Sequence, residues 1–333
     1  MKAIFISDKP NKVREVYGET ALADLSKLME LETAIYSREA ILADPAVGRG
    51  ATLAFSTWGM PAFTEEEIET RLPDLKALFY AAGTVQTFAR PFLNCGVKVF
   101  SAWAANAVPV AEFTAAQIIL AGKGYYRAAA SMSRGEVEDA RKIADLYNGN
   151  YEETVGILGA GMVGRAVIRL LKSYELSVFV FDPFLSEETA RDLGVEKCSL
   201  AGLFAACRVV SNHLANNEKT RGMLDGALFD RMLPNATFIN TGRGAQVVEE
   251  DLAAFLARRP DVTALLDVTD PEPPLSGHPF YDLPNCILTP HIAGSKGREV
   301  HRMAATMAEE CRRYLAGEPT RYEVTLPMLE TMA

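Results

Sequence analysis

Three short segments place an arginine, a carboxylate and a histidine at similar points, each just after an apolar run. The run Phe-Ile precedes Arg243, Leu-Leu precedes an acidic, proline-rich stretch with Glu272, and Ile-Leu precedes His291. A histidine can take up and return a proton near neutral pH, and a carboxylate on its other ring nitrogen would fix the tautomer. An arginine fork matches a carboxylate with two parallel hydrogen bonds. Together they predict acid–base chemistry on a substrate that carries a carboxylate. Taken singly, they could be a surface cation, a solvated loop charge and a core histidine.

A glycine-rich turn lies upstream, where residues 159–164 read Gly-Ala-Gly-Met-Val-Gly. It follows an apolar run and leads into apolar residues at helical spacing, which is the setting of a dinucleotide-binding turn. Gly159 would permit the tight turn, Gly161 would let the backbone approach a pyrophosphate, and Gly164 would let the helix pack closely on the strand. The N–H groups at the start of that helix attract phosphate. This stretch therefore predicts a dinucleotide site.

Asp182 lies 18 residues beyond Gly164, at the end of the predicted strand Ser177–Asp182. At this place an acidic side chain accepts hydrogen bonds from the adenosine ribose. The same carboxylate would repel a 2′-phosphate, and no arginine follows it directly, so the pattern favours NAD over NADP. An aspartate that only caps the turn before Pro183 is the alternative. With NAD as hydride carrier, the three residues fit the interconversion of a 2-keto acid and a 2-hydroxy acid.

The elements that must position these side chains follow from alternating apolar runs and stretches of helical spacing. Such alternation predicts parallel sheets covered by helices. The predicted strands are Lys2–Ser7, Thr33–Ser37, Thr52–Thr57, Ala77–Ala81, Val97–Ala102, Thr154–Leu158, Ser177–Asp182, Val209–His213, Thr237–Thr241, Ala264–Val268 and Cys286–Thr289. The clearest predicted helices are Val13–Met29, Glu65–Arg71, Val108–Ala130 and Lys296–Ala316.

We therefore predict an α/β protein of two Rossmann-like, doubly wound parallel-sheet domains with an active-site cleft between them. Residues 1–106 with 306–333 would form the substrate-binding domain, and residues 107–305 the NAD-binding domain. The helix over Val108–Ala130, which opens with a proline and a glutamate, would bridge the two. Ligands of open parallel sheets sit at the carboxyl ends of the strands.

The composition narrows the classes of partner. The 333 residues carry a net charge of −9, which argues against binding to nucleic acid or to an anionic membrane. No run of about 20 apolar residues is present, so no transmembrane helix is expected. The five cysteines are scattered, and no Cys, His or Asp cluster has metal-ligand spacing. We expect reduced thiols, a cytoplasmic protein and no metal.

Along nearly its whole length the sequence resembles the D-isomer-specific 2-hydroxyacid dehydrogenases. The resemblance rests on four motifs that follow one another at the spacing of that family. They are the glycine loop with Asp182, Asn-Thr-Gly-Arg-Gly at 240–244, Asp-Val-x-x-x-Glu at 267–272 and Thr-Pro-His-Ile-Ala-Gly at 289–294. The resemblance implies an NAD-dependent dehydrogenase of small 2-hydroxy acids, and a homodimer joined through the long bridging helix.

The resemblance also implies roles for individual residues. Arg243 would bind and polarise the substrate, Glu272 would pair with the histidine, and His291 would be the acid and base. The cofactor-binding residues would be Gly159, Gly161, Met162, Val163, Gly164, Asp182, His213, Thr220, Thr241, Gly242, Asp267 and Gly294, with Asp267 on the nicotinamide carboxamide. The substrate would meet the backbone N–H groups of Ala82, Gly83 and Thr84, and Asn106 at the start of the bridging helix.

Two positions depart from the family pattern. After His213 the chain has Ala215-Asn216-Asn217 where Pro-Leu-Thr is usual, and residues 84–87 replace a glycine-containing loop. Asp270 also stands close to Glu272, so the choice of acid partner depends on its spacing from Asp267. These departures leave the chemistry intact but make the substrate of any one relative an unsafe guide.

The loop after the strand Thr52–Thr57 bears on the substrate. From Trp58 to Phe63 it contains no arginine or lysine, although a phosphorylated or dicarboxylic substrate would normally meet a second cation there. We therefore expect a small monocarboxylate, such as glyoxylate, hydroxypyruvate or a longer 2-keto acid, with its side chain near Trp58. The alternatives are that Trp58 only covers the core, and that Arg90 reaches the pocket.

Two other functions stay open. Oxidation of formate or phosphite would keep the cofactor and change the reaction, since relatives with those substrates look similar around Arg243 and His291. An NAD(H)-sensing binding protein of the corepressor type could keep all three catalytic residues without turnover. The lack of disordered, charged or basic tails argues against this last function.

Overall fold

The computed structural model describes residues 1–330, and the chain divides into two compact units. The first unit comprises Met1–Ala107 and the chain from Ser295 onward, and the second comprises Val108–Gly294. The chain therefore returns to the first unit at Ser295, before the predicted boundary at 306. The reason is that the closing helix is one element whose buried face belongs to the first core. Residues 331–333, the end of the predicted segment 306–333, lie outside the described residues.

Two sheets, one in each unit, confirm the predicted α/β class. The first sheet contains β1 (Lys2–Ile6), β2 (Glu30–Tyr36), β3 (Ala51–Ser56), β4 (Ala77–Tyr80) and β5 (Lys98–Ser101). The second contains β6 (Thr154–Leu158), β7 (Ser177–Phe181), β8 (Glu196–Lys197), β9 (Val209–Asn212), β10 (Thr237–Asn240), β11 (Thr263–Leu266) and β12 (Cys286–Leu288). A last strand, β13 (Glu323–Val324), joins the first sheet. The two-residue strands β8 and β13 were not predicted, because two residues carry no periodic pattern.

Both sheets are wound outward from a central strand in two directions. The first has the order β13-β5-β4-β3-β1-β2 and the second β12-β11-β10-β9-β6-β7-β8. All the pairings are parallel except that of β13 with β5. The order reverses between β6 and β9 in the second sheet, and ligands of open α/β sheets bind outside the carboxyl ends at such a reversal.

Helices connect most of the strands. In the first unit they are α1 (Pro10–Leu28), α2 (Arg38–Ala43), α3 (Pro45–Gly48), α4 (Glu65–Arg71) and α5 (Ala89–Asn94). The chain then follows α6 (Trp103–Gly122), α7 (Tyr125–Ser133), α8 (Val137–Ala144), α9 (Met162–Leu171), α10 (Glu187–Leu193), α11 (Leu200–Ala206), α12 (Gly226–Phe229), α13 (Glu249–Arg258) and α14 (Val300–Ala316).

The long helix predicted over Val108–Ala130 is in fact two helices. α6 begins five residues earlier, at Trp103, and ends at Gly122. Gly124 then takes a left-handed φ of 66°, which interrupts the helix before α7 begins. Pro109 consequently lies inside α6 rather than in its first turn.

The composition of α6 also differs from expectation. Its mean hydropathy of 1.3 and its 20 residues make it long and apolar enough to cross a membrane by those two criteria alone. The segment is not an uninterrupted apolar run, because it contains Asn106, Glu112 and Gln117, so the expectation that the chain has no transmembrane helix stays a prediction. Half of the apolar stretch of α6 is buried within the structure. Ala111, Ala115 and Ile118 of this helix lie in a core of the second unit. A buried core helix explains this apolar composition.

The core of the first unit is built on aromatic rings from neighbouring strands. Phe79 stacks on Phe100 with ring centroids 4.8 Å apart and on Phe55 at 5.2 Å, and Tyr314 of α14 contacts Phe79 edge-on. Aromatic pairs in these geometries add to the stabilisation from buried area. The strands β9, β10 and β11 of the second unit are buried on both faces, as is typical of parallel sheets.

Candidate active site

The predicted catalytic residues share one edge of the second sheet. Arg243 follows β10, Glu272 follows β11 and His291 follows β12. These three strands are neighbours and run parallel, so their carboxyl ends lie at the same edge. The glycine loop follows β6 at that edge too. The order of the strands thus brings together residues that are up to 48 positions apart in the sequence.

His291 and Glu272 form a hydrogen-bonded pair. Nδ1 of His291 lies 2.7 Å from Oε1 of Glu272, and the side chains are 44% and 40% exposed. An ionised carboxylate can only accept, so Nδ1 carries the proton and Nε2 is left to exchange a proton with a substrate. The predicted pairing of these two side chains is therefore present, and the role of His291 as acid and base stays a prediction.

The backbone of His291 takes a left-handed φ of 52°. Its N–H donates to the carbonyl of Asp267 over 3.1 Å, and the carboxylate of Asp267 accepts from the backbone N–H groups of Ile292 and Ala293, each over 2.8 Å. The hydroxyl of Thr289 donates to the same carboxylate over 2.5 Å. Asp267 is only 3% exposed, so its role in this structure is to hold the histidine loop. The predicted contact with the nicotinamide carboxamide stays a prediction.

Arg243 is half-buried beside Glu272. Burial lowers the pKa of its guanidinium, and the nearby negative charge of Glu272 opposes this change. Nη1 donates to the carbonyl of Gly242 over 2.7 Å. Within residues 1–330, this is the one acceptor found for the guanidinium, so the rest of the fork can bind a substrate oxygen.

The loops that carry Arg243 and Glu272 pack directly against each other. A Cβ added to Gly244 would lie 2.0 Å from the carbonyl carbon of Thr269 and 2.4 Å from the backbone nitrogen of Asp270. Only a glycine permits this approach of two backbones. The glycine after Arg243 in the motif therefore fixes the distance between the arginine and the carboxylate.

The glycine loop has the geometry expected of a dinucleotide site. Gly159 has a φ of 88°, and an added Cβ would lie 2.8 Å from the carbonyl oxygen of His213. A Cβ on Gly164 would lie 2.0 Å from the carbonyl oxygen of Gly159, whereas nothing lies within 4 Å of one on Gly161. No side chain caps the N-terminus of α9. The open space at Gly161 and the uncapped helix start fit a pyrophosphate.

Asp182 contacts the glycine loop directly. Its carboxylate accepts from the backbone N–H of Ala160 and from that of Phe184, each over 2.8 Å. The capping alternative is therefore present in the structure, in the form of a carboxylate that joins the end of β7 to the glycine loop. Hydrogen bonding to a ribose would add to these contacts and stays a prediction.

The other predicted cofactor residues lie along the same edge of the sheet. His213 contacts the hydroxyl of Ser211 over 2.9 Å, and burial lowers its pKa to about 3, so it stays neutral. The hydroxyl of Thr220 donates to the carbonyl of Ala215 over 2.6 Å, which closes a turn. Thr241 is 8% exposed and its hydroxyl contacts that of Thr114. At the sheet edge, Met162 is exposed, and Val163, Gly242 and Gly294 are partly buried.

The predicted substrate loop of the first unit follows β4. The N–H of Ala82 donates to the carbonyl of Tyr80 over 2.9 Å, so it already has an acceptor within the protein, and its contact with a substrate stays a prediction. Within the described chain, the N–H groups of Gly83 and Thr84 meet no protein acceptor. Nδ2 of Asn106 lies 3.5 Å from the position of a Cβ on Gly83, so these two predicted residues are neighbours.

The comparison of the sequence with known protein families decides the identity of this arrangement. The model for the NAD-binding domain of the D-isomer specific 2-hydroxyacid dehydrogenases matches residues 115–293, more than half of the chain. The chain belongs to this family. Membership confirms the resemblance of the motifs and NAD as the cofactor.

Individual members of the family differ in their substrates. D-3-phosphoglycerate dehydrogenase of Archaeoglobus fulgidus is 30% identical over 71% of this chain, which spans only 44% of that relative's length. (S)-Sulfolactate dehydrogenase of Chromohalobacter salexigens is 28% identical over 91% of this chain and 97% of its own length. The structure of D-mandelate dehydrogenase from Rhodotorula graminis matches with a TM-score of 0.81 over 97% of both chains, at 18% identity, and so shows the same fold.

Two lysines stand beside the loop that contains Trp58. Nζ of Lys12 lies 6.0 Å from the ring centroid of Trp58, and a Cβ on Gly59 would lie 2.7 Å from the Cβ of Lys9. Both lysines follow β1, which neighbours β3 in the sheet. The loop itself contains no arginine or lysine, as its sequence shows, but these two lysines from another segment place positive charge beside it. Lys12 also pairs with Glu15 at 2.7 Å.

Sequence reasoning missed a buried amide network beneath Arg243. Nδ2 of Asn212 donates to Oδ1 of Asn240 over 3.0 Å and to Oε1 of Gln246 over 2.6 Å, and the backbone N–H of Arg243 donates to the same Gln246 oxygen over 3.3 Å. Nε2 of Gln246 donates to the carbonyl of Ala215 over 3.0 Å. Gln246 and Asn212 are completely buried. The signal in the sequence was polar amides inside otherwise apolar segments.

Proposed function

We propose that the protein is an NAD(H)-dependent dehydrogenase that interconverts a small 2-keto acid and its D-2-hydroxy acid. The observation that carries the proposal is the 2.7 Å pair of His291 and Glu272 next to the half-buried Arg243, at the sheet edge that also holds the glycine loop. Family membership supports the same reaction class. The chain's own activity is inferred, because it spans less than half of several relatives that it matches.

The residues divide the chemistry of keto acid reduction between them. Bound NADH would supply the hydride for the carbonyl carbon. The free part of the Arg243 guanidinium would bind the substrate and stabilise the negative charge that develops on the carbonyl oxygen. His291 would donate the proton from Nε2 to that oxygen, and Glu272 would stabilise the imidazolium before transfer. Oxidation of the hydroxy acid reverses each step.

Residues of the first unit would contribute to substrate binding. Gly83 and Thr84 have backbone N–H groups without a protein acceptor in residues 1–330, which is the chemistry that a carboxylate requires. Asn106 stands beside Gly83 and would add an amide N–H donor. Trp58, half-buried in its loop, would contact the substrate side chain.

Two substrate classes follow from the groups around Trp58. A small monocarboxylate, such as glyoxylate or hydroxypyruvate, suits the apolar ring. A 2-keto acid with a second anionic group, such as a sulfonate, is the second candidate, because Lys9 and Lys12 flank the same loop. The similarity to (S)-sulfolactate dehydrogenase over nearly the full length of both chains supports this second class.

Steady-state oxidation of NADH with a panel of 2-keto acids tests both the reaction class and the substrate class. The panel contains glyoxylate, hydroxypyruvate, pyruvate, 2-ketoisocaproate, phenylpyruvate, oxaloacetate and 3-sulfopyruvate. Turnover of any of these establishes the reaction class, and Lys9→Ala should then lower kcat/KM for the dianions only. No turnover of any keto acid in the panel, with NADH binding shown by fluorescence, would overturn the proposal. Turnover of formate or phosphite with NAD would then identify the alternative reaction.

We further propose a cytoplasmic homodimer joined through the segment from α6 to β6. Large apolar side chains are exposed along it: Leu120, Tyr125, Met132, Val137, Leu146 and Tyr151. A second copy of the chain would remove them from water. The cysteines are free thiols, as a reducing compartment requires. Light scattering of wild type and of Met132→Glu tests the dimer, and a monomeric wild type would contradict it.

A further inference from the structure

The segment from Asp270 to His278, here called the acidic loop, carries Glu272 but has little packing of its own. Most of its residues are exposed, and only Pro274 and His278 are partly buried. A loop with so few apolar contacts needs specific anchors to hold one conformation. Since Glu272 must stay within hydrogen-bond distance of the catalytic histidine, the groups that hold this loop bear directly on the proposed reaction.

A single carboxylate contacts both ends of the acidic loop. Oε1 of Glu249, at the start of α13, accepts the backbone N–H of Asp270 over 2.9 Å. Oε2 of the same side chain lies 3.7 Å from Nε2 of His278. Nδ1 of His278 accepts the backbone N–H of Phe280, so the ring proton must sit on Nε2, which faces the carboxylate. The Glu249 side chain is 9% exposed.

We propose that Glu249 is a positioning residue for catalysis, which clamps the two ends of the acidic loop and thereby holds Glu272 against His291. The clamp also bears on the arginine. The backbone of Asp270, which Glu249 holds from one side, is the backbone against which Gly244 packs. One buried carboxylate thus sets the position of both loops that carry charged catalytic groups.

The environment of Glu249 suits an anchor better than a solvated charge. Asp270, Glu250 and Cys286 are the other titratable groups near it, and none of them is a cation. Burial raises the pKa of Glu249 to about 7. His278, whose Nε2 lies 3.7 Å from Oε2 of Glu249, is the polar partner of this carboxylate at the other end of the loop.

The inference rests on the proposed function, and kinetics of Glu249→Ala and Glu249→Gln test it. We expect Glu249→Ala to lower kcat for keto acid reduction about 10-fold, the effect of one lost buried hydrogen bond, while the Kd for NADH stays unchanged. Glu249→Gln keeps an oxygen for the Asp270 N–H and should recover most of this loss. Glu250→Ala, the exposed neighbour on the same turn, is the matched control and should behave as wild type.

Hydrogen exchange gives a readout that does not depend on turnover. In the protein without ligand, Glu249→Ala and His278→Asn should speed amide exchange in residues 270–278, whereas Glu249→Gln should keep the Asp270 amide protected. If Glu249→Ala fails to fold, the other two variants decide. Wild-type turnover in Glu249→Ala would overturn the proposed clamp. Amide exchange in residues 270–278 that is unchanged in His278→Asn, together with an Asp270 amide that is unprotected in Glu249→Gln, would also overturn it. A wild type that is inactive on every keto acid would refute the proposed function and leave the exchange result standing.

Discussion

Asp267 imposes the backbone conformation of His291. The N–H of His291 donates to the carbonyl of Asp267 over 3.1 Å, and the carboxylate of Asp267 takes the next two N–H groups of the chain. A left-handed φ costs a residue other than glycine about 1–2 kcal/mol. Three hydrogen bonds to one buried aspartate offset that cost and direct the imidazole towards Glu272. The histidine loop is therefore ordered by the strand beside it.

Asp267→Asn should loosen the histidine loop. The amide keeps the volume but turns one acceptor into a donor that faces backbone N–H groups, which leaves at least one buried N–H unsatisfied. We expect kcat to fall about 10-fold or more and amide exchange at Ile292 and Ala293 to become faster. Kinetics and hydrogen exchange measure the two effects. Unchanged exchange would mean that the loop does not depend on Asp267.

His291→Asn should remove the acid and base while leaving the cofactor site intact. We expect kcat to fall by about 10²- to 10⁴-fold, with the NADH Kd within experimental error of wild type. His301→Asn is the control, because that histidine belongs to α14 and contacts the carbonyl of Val16. A His291 variant with wild-type turnover would remove this residue from the mechanism.

Arg243→Ala should raise KM and lower kcat together, because the guanidinium is expected both to bind the substrate and to stabilise its developing charge. Arg243→Lys keeps a charge but loses the planar fork, so it should recover only part of the loss. The exposed Arg231 provides the control variant, Arg231→Ala. An increase in KM alone would show that the arginine binds the substrate without taking part in the transition state.

Asp182→Ala should weaken NADH binding for two reasons. It removes the expected acceptor for the ribose, and it also removes the hydrogen bond from Ala160 that ties the glycine loop to β7. Discrimination against NADPH should relax, because the repulsive carboxylate is gone. Fluorescence titrations with both cofactors measure this. An unchanged preference for NADH, with both affinities reduced, would mean that Asp182 only supports the loop.

Glu249 should make folding stability depend on pH near neutrality. Burial raises its pKa from 4.5 to about 7, opposed by the N–H of Asp270, so between these values the folded state holds a proton that the unfolded chain has lost. The contribution of Glu249 to the free energy of unfolding is complete at a pH below its pKa in the unfolded chain, and it is lost as the pH rises through about 7. Glu249→Gln cannot ionise, so its Tm relative to wild type should rise from pH 5 to pH 8 and then level off. A difference in Tm that does not change with pH would contradict this assignment.

Local sequence patterns predicted most of the strands of this protein and the sheet edge that carries the candidate site. Period-two and period-3.6 apolar repeats predicted the β6 strand with its bounds and every other strand of three or more residues to within a few positions. The glycine motif and the spacing of Arg243, Glu272 and His291 predicted the edge where they meet, because parallel strands align their carboxyl ends. The sequence by itself therefore determined the two-sheet architecture and the cofactor class, and it predicted which charged side chains meet at that edge.

Only the tertiary structure decided what surrounds those residues. Some of these surroundings depend on contacts between segments that are distant in sequence, as at Glu249, at Gln246 and at the lysines beside Trp58. The hydrogen bond of the Ala82 N–H depends instead on a turn that has no periodic signal in the sequence. The break at Gly124 likewise depends on one dihedral angle, which helical spacing does not encode. Local patterns report which face of an element is apolar, whereas the partner of a buried polar group depends on how the loops pack.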